Sequence, residues 1–224
     1  MITDYTKQME LIKPWEHKRR INVLGCGAAG SWVVFFLLKM GFENIHVYDF
    51  DTIEEHNIPN QMFKESQIGC TKLDSIVNIY NDFFNEENKR LTIHNTKITE
   101  DNAHVLKDIV LCCVDSMMAR KFIYENCYKY GQAELFIELR LSIWGAYVYT
   151  LYKNGKDWTK KYEDTLYADE ETEVSACGVS QTALPAAVNA ASIMIMKMIV
   201  WLRGENPQHR LEYSIPDIYA ITNE

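Results

Sequence analysis

A glycine-rich turn between an apolar strand and an apolar helix limits the folds open to this chain more than any other feature. Ile21–Leu24 predicts a short buried strand, and the spacing Gly-x-Gly-x-x-Gly fills Gly25–Gly30 directly after it. Residues 31–40 predict a helix, and residues 44–48 predict a second strand that leads to Asp49. This order predicts a βαβ unit with parallel strands and a right-handed crossover.

Each glycine of the turn has a separate predicted task. Gly25 permits the tight turn, Gly27 lets the backbone approach a phosphate, and Gly30 lets the helix pack closely on the strand. Ala28 and Ala29 complete the predicted cofactor-binding turn. The helix N-terminus adds free N–H groups and partial positive charge. The pattern favours a nucleotide site, and a purely structural turn is the alternative.

The rest of the chain continues the alternation of strands and helices. An apolar run at 109–114 is typical of a central parallel strand that is buried on both faces. Further helices are predicted at 70–84, 117–130 and 182–203, and further strands at 91–94, 135–139, 146–152 and 211–214. We therefore predict a Rossmann-like α/β fold, with a mostly parallel central sheet, helices on both faces and some antiparallel strands in the C-terminal part. Residues 1–224 are expected to form one domain, in which residues 153–180 form a long, mobile, acidic loop.

Composition excludes several classes of function. The formal net charge of −8 argues against broad contact with nucleic acid, which requires clustered basic residues. The one dense basic cluster, Lys18–Arg20, precedes a strand and is interpreted as a solvated strand entry rather than a phosphate contact. The apolar stretch 183–202 is interrupted by Pro185, Asn189 and Lys197, so we expect a buried amphipathic helix and no membrane span.

The cysteines predict a reduced, zinc-free protein. None of the six forms a Cys-x-x-Cys pair, and no zinc is therefore expected. Cys112 and Cys113 lie inside an apolar run and are expected in the core. The N-terminus shows no apolar signal region, so a cytoplasmic location with free thiols is expected.

A polar run after the second strand narrows the kind of nucleotide chemistry. Residues 49–61 read Asp-Phe-Asp-Thr-Ile-Glu-Glu-His-Asn-Ile-Pro-Asn-Gln, and a dehydrogenase has no need of them. The run resembles the ThiF/HesA/MoeB superfamily, the bacterial relatives of the ubiquitin-activating enzymes. Those proteins carry Asp-x-Asp-x-Val-x-x-Ser-Asn-Leu-x-Arg-Gln after the same βαβ unit.

Further matches to this superfamily follow in the same order and extend the resemblance to about residues 20–205. They are Gly69–Lys72, Cys113–Ser116 with Arg120, Glu138–Arg140, and Ala176–Gly178 followed by Pro185 and a long helix. The chain most resembles the short members of this superfamily that phages and mobile elements encode.

The resemblance implies an ATP- and Mg²⁺-dependent adenylyltransferase. Such an enzyme activates the C-terminal carboxylate of a ubiquitin-like or sulfur-carrier protein, or of a peptide tail, and works as a homodimer. By resemblance, Lys72 neutralises phosphate charge, Asp115 holds Mg²⁺ and Asp49 binds the ribose. Asp51 and Asn57 shape the site. The structural alternatives are an exposed helix lysine for Lys72 and a turn acid for Asp115.

The chain departs from the superfamily in its arginines. Asn60, before Gln61, stands where the family has an arginine that contacts the triphosphate, and asparagine has neither the charge nor the bidentate fork. The family's Arg-rich N-terminal helix also has no counterpart, since no arginine precedes Lys18. Candidate substitutes are Arg19, Arg20, Arg120, Arg140 and Lys64.

Two questions stay open on the sequence. Cys177 lies between an acidic loop and a helix start, where it either takes the activated acyl group or simply caps the last helix. The missing arginine also fits a nucleotide-binding pseudo-enzyme that serves as a partner subunit. A third alternative is a nicotinamide- or flavin-dependent oxidoreductase, because such enzymes use the same glycine pattern.

Overall fold

The computed structural model describes residues 4–84, 90–167 and 182–214, together with the backbone of residues 219–223. Its strands are β1 Ile21–Leu24, β2 Ile45–Asp49, β3 Leu91–Asn95, β4 Lys107–Cys112, β5 Gln132–Leu141, β6 Gly145–Tyr152, β7 Arg210–Ser214 and β8 Tyr219–Asn223. In this part of the chain they form one eight-stranded sheet in the order β3-β2-β1-β4-β5-β6-β7-β8. The first five strands pair in parallel and the last three are antiparallel, as predicted.

Six α-helices accompany the sheet within the described residues. They are α1 Gly30–Met40, α2 Lys72–Phe84, α3 Glu100–Ala103, α4 Met117–Ile123, α5 Thr159–Glu163 and α6 Leu184–Leu202. The helix predicted at 117–130 is divided, because α4 passes into a π-helical segment over Tyr124–Lys129. The short helix α5 lies within the loop predicted at 153–180, and residues 168–180 of that loop lie outside the described residues.

Two apolar cores hold helices on both faces of the sheet. Alternate side chains of β4 divide between them: Ile109 and Leu111 point to α1, α2 and α6, whereas Val110 and Cys112 point to α3 and α4. All four are completely buried. The predicted central strand is thus confirmed, and the fold class is the predicted Rossmann-like one.

Helix α6 is long and apolar enough to cross a membrane by length and composition, a property that core helices of soluble proteins share. Half of its most apolar window is buried inside the fold. Its inner face packs on α1, β5 and β6. Even Lys197 is buried, and its ammonium donates to the Gln208 carbonyl. Burial lowers the pKa of this amine to about 8.

The strand order places a crevice at one edge of the sheet. From β1 the chain passes to β2 and β3 on one side, and then crosses to β4 on the other side of β1. Open α/β sheets bind ligands where the order reverses, at the carboxyl ends of the strands. The relevant crevice therefore lies beyond Leu24 of β1 and Cys112 of β4, which are paired neighbours.

A half-buried histidine pair connects the two outer parallel strands. Nδ1 of His46 on β2 lies 3.0 Å from Nε2 of His94 on β3, and His94 stacks on Tyr48. Arg20 donates to the Tyr48 hydroxyl at 2.6 Å. Burial and the charge of Arg20 lower the pKa of both imidazoles, that of His46 to about 4. The pair is thus favoured in its neutral form.

This pair predicts an acid-sensitive fold. The pKa of His46 is lower in the folded chain than the ordinary value of 6.5, so the unfolded chain binds more protons between pH 4 and 6.5. The free energy of unfolding should therefore fall as the pH drops through this window. Urea titrations at several pH values check this, and His46→Gln should reduce the slope. The exposed His104→Gln serves as the control, and equal slopes for the two variants would contradict the assignment.

Candidate functional site

The glycine turn has the geometry that the sequence predicts. Gly25 has a φ of +88°, in the left-handed region that favours glycine. A Cβ on Gly30 would lie 1.9 Å from the Gly25 carbonyl oxygen, so α1 can start this close to β1 only without a side chain. A Cβ on Gly27 would meet no atom within 4 Å. The backbone at Gly27 therefore borders open space at the crevice.

The start of α1 can bind an anion through the N–H groups that remain after Ser31 and Val33 donate to the Gly27 and Ala29 carbonyls. No side chain caps the helix, and its first turn contains no acidic residue. The first N–H groups of a helix have no partner within the helix, and the helix dipole adds partial positive charge there. Phosphate groups bind at such helix starts in many nucleotide sites. The turn therefore has the chemistry of a phosphate cradle.

Asp49 lies at the end of β2 and holds the turn in place. Its Oδ2 accepts from the N–H of Cys26 at 2.5 Å, and its Oδ1 accepts from the N–H groups of Phe50 and Asp51, each at 2.8 Å. The residue is only 6% exposed. A carboxylate has about four lone-pair sites, so three backbone bonds leave room for about one further donor. The predicted ribose contact is compatible with this geometry, and Asp49 also has a structural task.

Lys72 is the first residue of α2 and reaches back to the end of β2. Its ammonium donates to Oδ2 of Asp51 at 2.7 Å, and its N–H donates to the Asp51 carbonyl at 3.0 Å. The Lys72 side chain is 8% exposed and that of Asp51 is 49% exposed. The structure thus brings a buried cation to the predicted site, paired with an acid that water reaches. The interpretation as an exposed helix lysine was wrong.

Residues 57–62 lie against the first turn of α1. Asn57 is buried, and its side chain accepts from the N–H of Glu54 at 2.9 Å, which fixes the loop locally. The buried Ser31 hydroxyl accepts from the N–H of Met62 at 3.1 Å. The indole N–H of Trp32 donates to the Asn60 carbonyl at 3.2 Å. These contacts set the polar run beside the helix start.

Asn60 uses one of its two amide donors away from this site. Its Nδ2 donates to the Thr182 carbonyl at 3.1 Å, just before α6. A flip of the amide would bring two acceptor oxygens together, so Thr182 fixes the orientation. The Asn60 Oδ1 and the Gln61 Oε1 are buried and have no partner among the described residues. At the position where the resemblance implies a phosphate-binding arginine, this chain has a hydrogen bond to Thr182, just before α6.

The five candidate substitutes for the missing arginines have other partners. Arg19 pairs with Glu134 at 3.2 Å, and Lys64 pairs with Asp82 near the end of α2. Arg20 precedes β1 and so lies at the opposite edge of the sheet from the crevice. Arg120 and Arg140 belong to a buried network. Lys72 is thus the cation that the described contacts place at the end of β2.

Asp115 follows β4 at the crevice and is exposed. Ser116, directly after it, caps α4 by accepting from the N–H of Ala119 at 3.2 Å. No group of three or more His, Cys, Asp or Glu residues among the described ones could hold a metal. Mg²⁺ is commonly bound by one or two carboxylates together with substrate phosphates. One exposed carboxylate beside a phosphate cradle fits a metal that arrives with a nucleotide.

A buried ionic network next to Asp115 was not predicted. The Glu138 network consists of Glu138, Arg120, Arg140 and Tyr162, all nearly inaccessible to solvent. Glu138 accepts from Arg140 Nε at 2.5 Å and from the Tyr162 hydroxyl, and its Oε1 lies 3.4 Å from Arg120 Nε. Burial and the Glu138 charge raise the pKa of Tyr162, so it stays a donor. A charged residue inside the apolar run of β5 was the available sequence signal.

The structure describes Cys112 and Cys113 but does not describe Cys177. Cys112 is completely buried and Cys113 mostly so, and burial raises the pKa of both thiols, that of Cys112 to about 12. Their expected place in the core is confirmed. Cys177 lies outside the described residues, so its predicted role stays a prediction.

These features define a Rossmann-like α/β protein whose glycine turn has the chemistry of a phosphate cradle. The chain belongs to the ThiF family, whose model matches residues 9–221. It is 30% identical over 142 residues to a ubiquitin-like modifier-activating enzyme 5 of Oryza sativa subsp. japonica, a match that covers 56% of this chain and 34% of that protein. It is 31% identical over 113 residues to the adenylyltransferase and sulfurtransferase MOCS3 of Culex quinquefasciatus, a match that covers 48% and 25%. The matches span about a third of the curated relatives or less.

Solved structures show the same fold. E. coli MccB, crystallised with AMPCPP and the peptide MccA, superposes with a TM-score of 0.72 at 18% identity, over 92% of this chain and 64% of that chain. PaaA superposes with a TM-score of 0.72 at 17% identity, over 98% and 81%. At these identities the likeness extends to the fold alone. The predicted Rossmann-like architecture and the predicted family are both confirmed.

Proposed function

We propose that this chain is an ATP- and Mg²⁺-dependent adenylyltransferase that activates the C-terminal carboxylate of a ubiquitin-like protein, a sulfur-carrier protein or a peptide. One observation carries the proposal: an uncapped helix start, a buried lysine and an exposed aspartate lie at the carboxyl ends of the three neighbouring strands β1, β2 and β4. The relatives named as activating enzymes and the MccB complex with an ATP analogue support the same chemistry.

The proposed reaction joins the acyl substrate to AMP. A carboxylate oxygen forms a bond to the α-phosphorus, the bond to the bridging oxygen breaks, and diphosphate leaves with the electron pair. Negative charge grows on the departing phosphates, so fixed donors and cations aimed at them lower the barrier. The α1 N–H groups and Lys72 supply these in the proposal, and Asp115 holds Mg²⁺. The bound Mg²⁺ neutralises phosphate charge.

Isotope exchange tests the proposal. Labelled diphosphate is incubated with the chain, ATP, Mg²⁺ and candidate tails that end in glycine, and the label in ATP is measured. Wild type should show exchange that depends on a tail, and Asp115→Asn should lower it by about 100-fold or more. Absence of exchange with every tail, together with normal behaviour of Asp115→Asn in ATP binding, would overturn the enzymatic proposal.

Asn60 favours a second candidate, a nucleotide-binding partner subunit without catalysis. One N–H of its amide is bound to the Thr182 carbonyl, and each of the five candidate cations already has a protein partner. This candidate predicts ATP binding without diphosphate exchange. Exchange that appears only after Asn60→Arg would support it, and exchange in the wild type would exclude it.

Two further parts of the proposal need separate tests. We propose that Cys177 accepts the acyl group, and mass spectrometry of the Cys177→Ser variant would then show no thioester.

We also propose a homodimer, because Trp32, Phe35 and Phe36 on α1 remain partly exposed and Met196 on α6 is 42% exposed. Light scattering should give twice the mass of one chain, and a monomer mass would contradict this part.

A further inference from the structure

The Glu138 network reaches the backbone directly before Asp115. Nη2 of Arg120 donates to the Val114 carbonyl at 2.6 Å and to the Leu139 carbonyl at 3.2 Å. Val114 is the residue before Asp115, so one guanidinium joins the end of β4 to β5 at this point. Arg120 is only 7% exposed, so water has little access to the side chain and cannot replace most of its protein partners.

The charge balance of the network depends on one carboxylate. Glu138 is completely buried and lies between the guanidinium groups of Arg120 and Arg140. Tyr162 of α5 donates to its second oxygen. Arg140 also donates to the carbonyl of Thr165 at 2.7 Å and to its hydroxyl at 3.0 Å. The carboxylate therefore holds Arg140 by a hydrogen bond and Arg120 by charge alone, because Arg120 Nε lies 3.4 Å from Glu138 Oε1 and makes no hydrogen bond.

We propose that Arg120 and Glu138 are positioning residues that set the exposed Asp115 carboxylate for a divalent cation. The inference rests on the proposed function, because it takes Asp115 as the metal-binding acid. Neither residue touches the nucleotide in this proposal. Arg120 fixes the backbone at Val114, and Glu138 fixes Arg120. Outer residues that hold a metal ligand in place commonly change metal affinity by 10–100-fold.

The test measures ATP binding by calorimetry at a series of Mg²⁺ concentrations, with the full chain. Arg120→Lys should raise by about tenfold the Mg²⁺ concentration that gives half of the full effect on ATP affinity, because the shorter ammonium lacks the planar fork that donates to both carbonyls beside Glu138. ATP affinity without Mg²⁺ should stay unchanged. A role in folding alone would not move the Mg²⁺ requirement in this selective way.

A matched pair of tyrosine variants keeps the test decisive if Arg120→Lys does not fold. Tyr162→Phe removes one buried hydroxyl that donates to Glu138. Tyr213→Phe removes one buried hydroxyl that donates to the Ala186 carbonyl, away from the network. Tyr162→Phe should raise the Mg²⁺ requirement, by less than Arg120→Lys, and Tyr213→Phe should leave it at the wild-type value.

The outcomes separate this inference from the proposed function. Asp115→Asn should abolish the effect of Mg²⁺ on ATP binding, and a normal effect in that variant would count against the proposed function itself. A loss in Asp115→Asn with wild-type Mg²⁺ requirements in Arg120→Lys and Tyr162→Phe would overturn the positioning role alone.

Discussion

We expect Gly30→Ala to lower the free energy of unfolding by more than about 3 kcal/mol, the upper end for an overpacked interior. The added Cβ would lie 1.9 Å from the Gly25 carbonyl oxygen and 3.2 Å from the Cys113 Cβ. The first of these contacts is with backbone, so no side-chain rotation relieves it. The first turn of α1 would have to move away from β1. Urea titration of the variant measures the loss.

Gly27→Ala is the matched control, because the same methyl group at Gly27 meets no atom within 4 Å. Its φ is not in the left-handed region, so alanine is tolerated there. We expect its stability to stay within about 0.5 kcal/mol of wild type. A stability loss in Gly27→Ala as large as that in Gly30→Ala would contradict the described packing of the turn.

Lys72→Met should lower the rate of diphosphate exchange by about 100-fold or more, the usual effect of removing a donor from a developing anion. Methionine keeps the apolar stem that is buried at the start of α2. Asp51, the partner that remains, is half exposed and can be hydrated, so the fold should persist. Exchange kinetics and thermal unfolding of the same preparation separate the two effects.

Lys64→Met is the control for this variant, since Lys64 pairs with Asp82 on the exposed surface. Exposed ion pairs contribute about 0–1 kcal/mol, so this variant should fold and exchange diphosphate like the wild type. An equal loss of exchange rate in the two lysine variants would contradict a specific contact of Lys72 with the phosphates.

The sequence predicts those elements whose pattern is local. The helix after the glycine turn ends at Met40, as predicted, and Gly41 follows it with a φ of +88°, in the left-handed region that favours glycine. Helix α5 was missed because Thr159–Glu163 is too short and too polar to show an apolar period. The π-helical segment at Tyr124–Lys129 was missed because its apolar pattern continues that of α4. Four residues separate β7 from β8. β8 was missed because its five residues show no clear alternation of apolar and polar side chains.

The sequence predicts those parts of the site that are formed by residues close together in the chain. The turn, Asp49 and Asp51 lie on one βαβ unit, and their arrangement follows from the topology. The partner of Asn60 is Thr182, 122 residues later, and no pattern in the sequence joins the two. The same holds for Glu138 and Tyr162, which are 24 residues apart and meet only because α5 folds onto β5.

Calorimetric titration of the wild-type chain with ATP and, separately, with NAD⁺ tests the central claim most directly, which is that the glycine turn binds ATP. The account predicts saturable ATP binding that Mg²⁺ strengthens, that Gly27→Ala weakens and that NAD⁺ does not match. An oxidoreductase would use the same turn for a dinucleotide. Tighter binding of NAD⁺ than of ATP, or ATP binding that is unchanged in Gly27→Ala, would contradict it.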